Sequence, residues 1–238
     1  MDYRIRHLDR VSLESKLYLF DANLWIKILT PPFSLSTRER KYLAFFQKFK
    51  KDPKQPKVVV TSLILAEVIN RMIREMYLSK YFKANPEIKK KYDSDSEYRR
   101  SFYKKEYRNS DHFKDSYKKI CEEISNYEKF CVYENDEFGN GLNALSLLSM
   151  PPTNLDFNDN YYVELAKLKG YLIVTDDGDF FIEGVDILTY NDTLYQKMKD
   201  KVKPTIASEV KEVTAIAAKN VTGNTLGDIA KVIEAKKK

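Results

Sequence analysis

Short apolar runs punctuate the chain at residues 16–20 (KLYLF), 57–61 (KVVVT), 172–174 (LIV) and 185–189 (VDILT). Compact apolar, β-branched runs bounded by turn residues read as buried strands. Between them the apolar spacing is helical. Residues 24–29 (LWIKIL) read as a helix stopped by Pro31 and Pro32. Ser36 and Thr37 can cap a helix through about Lys51, with Tyr42, Leu43, Phe45, Phe46 and Phe49 on its apolar side. Ser62 is expected to cap a long helix carrying Leu63, Ala66, Ile69, Met72, Ile73 and Met76. From Asp159, Tyr162, Val163 and Ala166 follow at +3, +4 and +7, on one helix face. The alternation predicts an α/β fold: a three-layer domain whose central parallel sheet is flanked by helices and joined by right-handed crossovers. Its strands are expected near residues 17–21, 57–61, 171–175 and 185–189.

The remaining segments are less regular. Residues 1–15 are polar and receive no element. Residues 80–133 are rich in Lys, Arg, Glu, Asp and Tyr and contain no Gly. They read as a helical insertion projecting from the sheet edge, with one helix over 115–132. Residues 135–153 read as a loop with a short apolar helix at 142–148. The last segment is aromatic-free and rich in Ala, Val and Lys, with helices expected at 208–219 and 226–237. The predicted organisation is a domain at 1–200, including the insertion, and a basic C-terminal extension at 201–238.

Composition narrows the chemistry. Two histidines, His7 and His112, leave little for a zinc site or a histidine-dependent triad. Cys121 and Cys131 fall in one predicted helix, about 15 Å apart, too far for a disulfide. No 18-residue apolar run and no apolar signal core is present, so a reduced, cytoplasmic, membrane-free protein is expected. The net charge is +6, of which residues 197–238, with ten Lys and five Asp or Glu, supply +5. A basic excess points to a polyanionic partner.

The candidate chemistry is acidic. Residues 155–180 hold a helix, Gly170, the run LIV and then Thr175, Asp176, Asp177 and Asp179. Ligands of open parallel sheets bind at the carboxyl ends of the strands. Asp21 ends the first strand, Glu67 lies on the helix after the second, Asp159 begins the helix before the third and Asp177 follows the third. In a parallel sheet all four can gather at one edge. Like charges about 4 Å apart repel by roughly 4 kcal/mol at an effective dielectric of 20, so protons or cations must compensate them. Carboxylates and water suit Mg²⁺ or Mn²⁺.

These residues resemble the PIN-domain nucleases. The resemblance is carried by Asp21-Ala22-Asn23 after an apolar strand, the stretch Thr61 to Glu67, Asn158-Asp159, and LIV followed by Thr175-Asp176-Asp177-Gly178-Asp179-Phe180. The last stretch is similar to a "hydrophobic strand, T-x-D-x-D-F" signature. The resemblance implies a metal-dependent endoribonuclease acting on an RNA substrate. It assigns catalysis and Mg²⁺ or Mn²⁺ ligation to Asp21, Glu67, Asp159 and Asp177, with Asn23 and Thr175 as polar support. It further implies the toxin of a toxin–antitoxin or defence system, an inhibitory protein partner, and a homo-oligomer.

Each residue also has a plainer reading. Asp21 can cap the helix that follows it, and Glu67 can pair with Arg71. Asp156 and Asn158 read as helix-entry caps, Asp176 and Asp179 as turn residues, and Thr175 as a backbone partner. The Tyr-rich insertion can stack RNA bases or pack its rings internally. For the whole chain the alternative is a non-catalytic PIN-like binding or assembly module in a nucleic-acid-associated complex. A haloacid-dehalogenase-type phosphatase needs a second Asp where Asn23 stands, and is set aside.

Overall fold

The computed structural model describes residues 2–134, 142, 147, 148 and 155–201. The expected tail helices lie outside the described residues, as does most of the expected helix at 142–148. Two compact units are separated: Asp2–Tyr195, and Met1 with Gln196–Lys238. In the second, residues 196–201 are helical, and the Gln196 amide donates to Asp200 (2.7 Å). No helix among the described residues is long and apolar enough to cross a membrane.

The main unit is an α/β domain on one six-stranded, all-parallel sheet. Its strands are β1 (Arg4–His7), β2 (Leu17–Phe20), β3 (Lys57–Val60), β4 (Cys131–Tyr133), β5 (Leu172–Val174) and β6 (Asp186–Thr189), in the order β1-β6-β5-β2-β3-β4. The helices are α1 (Ala22–Leu29), α2 (Thr37–Lys51), α3 (Ser62–Arg71), α4 (Leu78–Ala84), α5 (Pro86–Ser94), α6 (Ser96–Lys105), α7 (Asp111–Ser125) and α8 (Phe157–Lys169). Chains of this alternation form three layers, helices covering both faces of the sheet.

The four anticipated strands are the four inner ones, whose residues are almost all buried. On one face Phe20 of β2 meets Trp25, Phe45, Phe46 and Phe49. The start of α2 carries a capping box, Ser36 with Glu39. On α8 the predicted face is buried, with Tyr162, Val163 and Ala166 each 1% exposed. That helix ends at Gly170, whose φ of 71° is a conformation glycine adopts without penalty. The residue capping α3 is Thr61, not Ser62: its hydroxyl accepts from the Ile64 N–H (3.2 Å).

Both edge strands differ from expectation. β1 falls in the segment given no element, and β4 in the segment expected to stay off the sheet. Cys131–Tyr133 pairs with Val58–Val60, so residues 80–133 are helical up to Ser125 but return as an edge strand. The expected helix over 115–132 therefore stops at Ser125. Cys121 and Cys131 lie on different elements, and both are free.

The insertion has its own core. Phe102 and Tyr107 are 0% exposed, and the rings of Tyr81, Phe82, Tyr92, Tyr98, Tyr103, His112 and Phe113 contact one or both of them. Five of its eight tyrosines thus belong to this internal ring cluster, the plainer of the two readings, while Tyr117 and Tyr133 are exposed. Between α3 and α4 the helix runs on through one wide, π-helical segment, Met72–Tyr77. The buried stripe of α3 runs through Ile64, Val68 and Met72, whereas Ala66, expected inward, is exposed.

Candidate active site: an acidic cluster at the carboxyl edge of the sheet

From β2 the chain moves through β3 and β4 to one side, and later places β5 and β6 on the other. The carboxyl ends of β2 and β5 therefore flank the switch point of the sheet, where such folds open a crevice. Asp21 leaves β2 there, and Thr175, Asp176 and Asp177 leave β5.

Asp21 is 2% exposed. It caps α1, one carboxylate oxygen accepting from the Leu24 N–H (2.7 Å). The other oxygen accepts from the Thr175 hydroxyl. The same hydroxyl oxygen accepts from the Asp177 N–H (2.8 Å), so Thr175 ties the two acids together. Burial pushes the Asp21 carboxyl up to about 6; the Thr175 and Leu24 bonds and Lys27 oppose the rise, and Asp177 adds to it. The plain capping reading is therefore correct but incomplete, because an isolated cap is solvated.

Asp159 stands in the first turn of α8, and its carboxyl is pushed up to about 7. Burial is the main cause, followed by Asp156, Asp177, Asp21 and Glu67 in that order. The other three predicted acids thus all act on Asp159, with Asp156 beside them, and Asp177 acts on Asp21 as well. Asp156 is the N-cap of α8, accepting from the Asp159 N–H (2.9 Å). Asp177 accepts from the Asp179 N–H (2.9 Å), and Asp179 is exposed.

Glu67 comes from α3. One of its carboxylate oxygens accepts from the Tyr162 hydroxyl and from the Asn158 amide, each at 3.3 Å. Burial, and then the Glu67 charge, push the Tyr162 hydroxyl far upward, so it stays a donor. The other Glu67 oxygen lies 3.8 Å from Arg71, the i, i+4 pair read from sequence. Arg71 also donates to Asn23 (2.8 Å) and to Glu75 (3.2 Å). Asn23 therefore orients a cation at the rim. Asn158, expected as a cap, instead binds Glu67; its spacing of four from Tyr162 was the available signal.

Behind the site lies a buried ion pair that the sequence reading missed. Asp176, expected as a turn residue, is 9% exposed and lies 3.0 Å from Lys27 and 3.3 Å from Arg38. The Tyr42 hydroxyl bridges the strand exits: it accepts from the Tyr190 N–H (2.8 Å) and faces Thr189 (3.1 Å). It donates towards the Thr175 carbonyl (3.0 Å) and Asp176 (3.1 Å). A lone lysine inside the apolar run of α1 was the signal for this pair, since a buried ammonium needs a carboxylate.

Among the described residues, no three His, Cys, Asp or Glu side chains stand together as ligands ready to hold one metal ion. By chemistry, though, the donors fit a hard divalent cation. They are carboxylate oxygens, and the two at the centre are held high enough that a positive charge would lower their free energy. No family model, curated protein or solved structure matches this chain.

Proposed function

We propose that this protein is a metal-dependent endoribonuclease of PIN type, cutting single-stranded RNA at the carboxyl edge of its sheet. The observation that carries the reading is the convergence of Asp21, Glu67 and Asp177 on Asp159, four acids from separate segments, at the switch point of a parallel sheet. These four would hold Mg²⁺ or Mn²⁺. A bound ion of this kind supplies a water of lowered pKa and neutralises charge on the phosphodiester.

The chain's own residues prepare the site. Thr175 fixes the rotamer of Asp21 and the backbone of Asp177 with one hydroxyl. Tyr162 and Asn158 aim Glu67 inward. Tyr42 and the Lys27–Asp176 pair hold the β5 and β6 exits at a set spacing, as supporting contacts do for ligands. A labelled single-stranded RNA, incubated with the full chain in Mn²⁺ or in chelator, tests the reading. Cleavage is expected only with metal and is abolished by Asp21→Asn; an Asp21→Asn variant that cuts as well as wild type refutes it.

A second reading rests on Arg71, which already neutralises Glu67 and binds Asn23. A non-catalytic PIN-like module would keep its acids compensated in this way. The same assay separates the two, since the module cuts nothing under any metal.

A further inference from the structure

At the opposite edge of the sheet lies a cleft of about 440 Å³, beside the amino-terminal end of β3. It is lined by Lys50 and Lys51 from the last turn of α2, by Lys57 opening β3, and by Lys129 and Phe130 just before β4. None of these four lysines takes part in an ion pair among the described residues, and what sets them apart is that they converge from three segments on one cleft. The one acid lining the cleft, Asp52, turns its carboxylate to the Lys54 N–H (2.9 Å). Residues 1–196 carry only +1 of the chain's +6, so this concentration of unpaired positive charge is a local feature.

Three of the four ammoniums have contacts within the fold, and Lys129 lies over the Phe130 ring, 5.0 Å from its centroid. Lys57 donates to the Lys129 carbonyl (2.5 Å). Lys50 lies over the rings of Phe46 and Tyr127, 5.3 and 5.4 Å from their centroids. Burial first, and then the Lys129 and Lys51 charges, draw the Lys50 ammonium below its usual range. Basic residues at a helix C-terminus complement its dipole, which accounts for Lys50 and Lys51 alone. It does not account for Lys57 and Lys129, which come from other elements and converge on the same space.

We propose that this cleft is a binding site for the backbone of single-stranded nucleic acid, separate from the acidic site and independent of cleavage. The chemistry favours an extended diester over a compact phosphate. Compact phosphates are cradled by backbone N–H groups at helix N-termini, whereas the helix end at this cleft is the C-terminus of α2. Lysines are point charges on flexible stems, suited to a row of singly charged diesters. The half-buried Phe130 ring lies beside them with the Lys129 ammonium over it, so aromatic and cationic groups stand together as they do on single-strand platforms.

The test uses the full chain in chelator with a fluorescein-labelled oligouridylate, following anisotropy across a salt series. Each phosphate contact to a single strand contributes about 0.7 to the slope of log K against log salt. Lys51→Gln/Lys129→Gln removes two exposed contacts that hold no hydrogen bond through their side chains. It is expected to flatten the slope by about 1.4 and to weaken binding at low salt roughly tenfold or more. Lys104→Gln/Lys105→Gln on α6 makes the same change of charge elsewhere and is expected to stay within about twofold of wild type. Equal losses in both pairs, or no loss in the cleft pair with its circular dichroism unchanged, overturn the proposal. Displacement of the oligonucleotide by stoichiometric tripolyphosphate also overturns it, and assigns the cleft to a compact polyphosphate.

Discussion

Replacing Asp21 by Asn removes a charge from a carboxyl group that is 2% exposed and keeps the shape of the site. The carboxyl rises from an ordinary 3.8 to about 6 on folding. A raised folded-state value means the native protein holds this proton more tightly than the unfolded chain does. Its contribution to stability is present in acid and declines as pH climbs from about 4 to about 6, then stays level. The decline amounts to about 3 kcal/mol at 1.36 kcal/mol per pH unit. Asp159, raised to about 7, extends the same trend upward, but its partial exposure screens the effect. Asn still accepts from the Leu24 N–H but no longer takes the Thr175 hydroxyl as a carboxylate does, a loss of about 1 kcal/mol. In chelator at pH 8, Asp21→Asn should therefore be more stable than wild type by about 2 kcal/mol, raising Tm by roughly 4–8 °C. At pH 4.5 the gain should vanish, because the native wild type is then protonated. Thermal melts of both proteins at the two pH values decide the matter. A variant destabilised by the same amount at both would show that Asp21 carries no burial penalty, and the coupling argument would fall with it. Mn²⁺ should then raise the wild-type Tm with concentration and the variant's much less.

Three further outcomes follow from the contacts. Asp156→Asn should change stability by only a few tenths of a kcal/mol, since Asn caps helices as well as Asp, and should leave RNA cleavage within about twofold; a dead Asp156→Asn beside an active Asp159→Asn would make Asp156, not Asp159, the third essential acid. Tyr42→Phe strips the hydroxyl from the β5 and β6 exits and leaves the buried Tyr190 N–H without its acceptor, costing about 1–3 kcal/mol in urea unfolding; a neutral result would remove Tyr42 from the support of the site. Phe102→Ala hollows the aromatic core of the insertion and should cost about 3–5 kcal/mol, read by circular dichroism and chemical unfolding; a loss under 1 kcal/mol would mean the ring cluster is not a core.

The four inner strands were legible because both their faces are buried and they read as unbroken apolar runs. β1, as Arg4-Ile5-Arg6-His7, has one neighbour and a half-exposed surface, so its sequence alternates with charge and reads as polar coil. β4 is three residues long and none of them is fully buried, which leaves no pattern to detect. The acids at the sheet edge were found because topology forces strand ends together, whatever the details of packing. Asp176 and Asn158 were misjudged for a different reason. Their partners, Lys27 and Glu67, lie 149 and 91 positions away in the chain, and local turn and cap preferences carry no trace of such pairs.

The wide turn at Met72–Tyr77 sets the phase of everything beyond it. In a regular helix each residue advances about 100° around the axis. Buried positions step by four from Ile64 to Val68 and Met72, double there to the adjacent pair Met72 and Ile73, and continue at Tyr77, Leu78 and Phe82. The extra residue thus works as a splice between two amphipathic helices that would otherwise be out of register. On one side of the splice, Glu67 and Arg71 face the acidic crevice. On the other, Tyr77 and Phe82 face α7 and the ring cluster. Deleting one residue from this turn would leave the composition and the helical content almost untouched. It would nonetheless rotate the insertion by about a quarter-turn against the acidic edge, a change that only the geometry of the joint, and none of its contacts taken singly, would reveal.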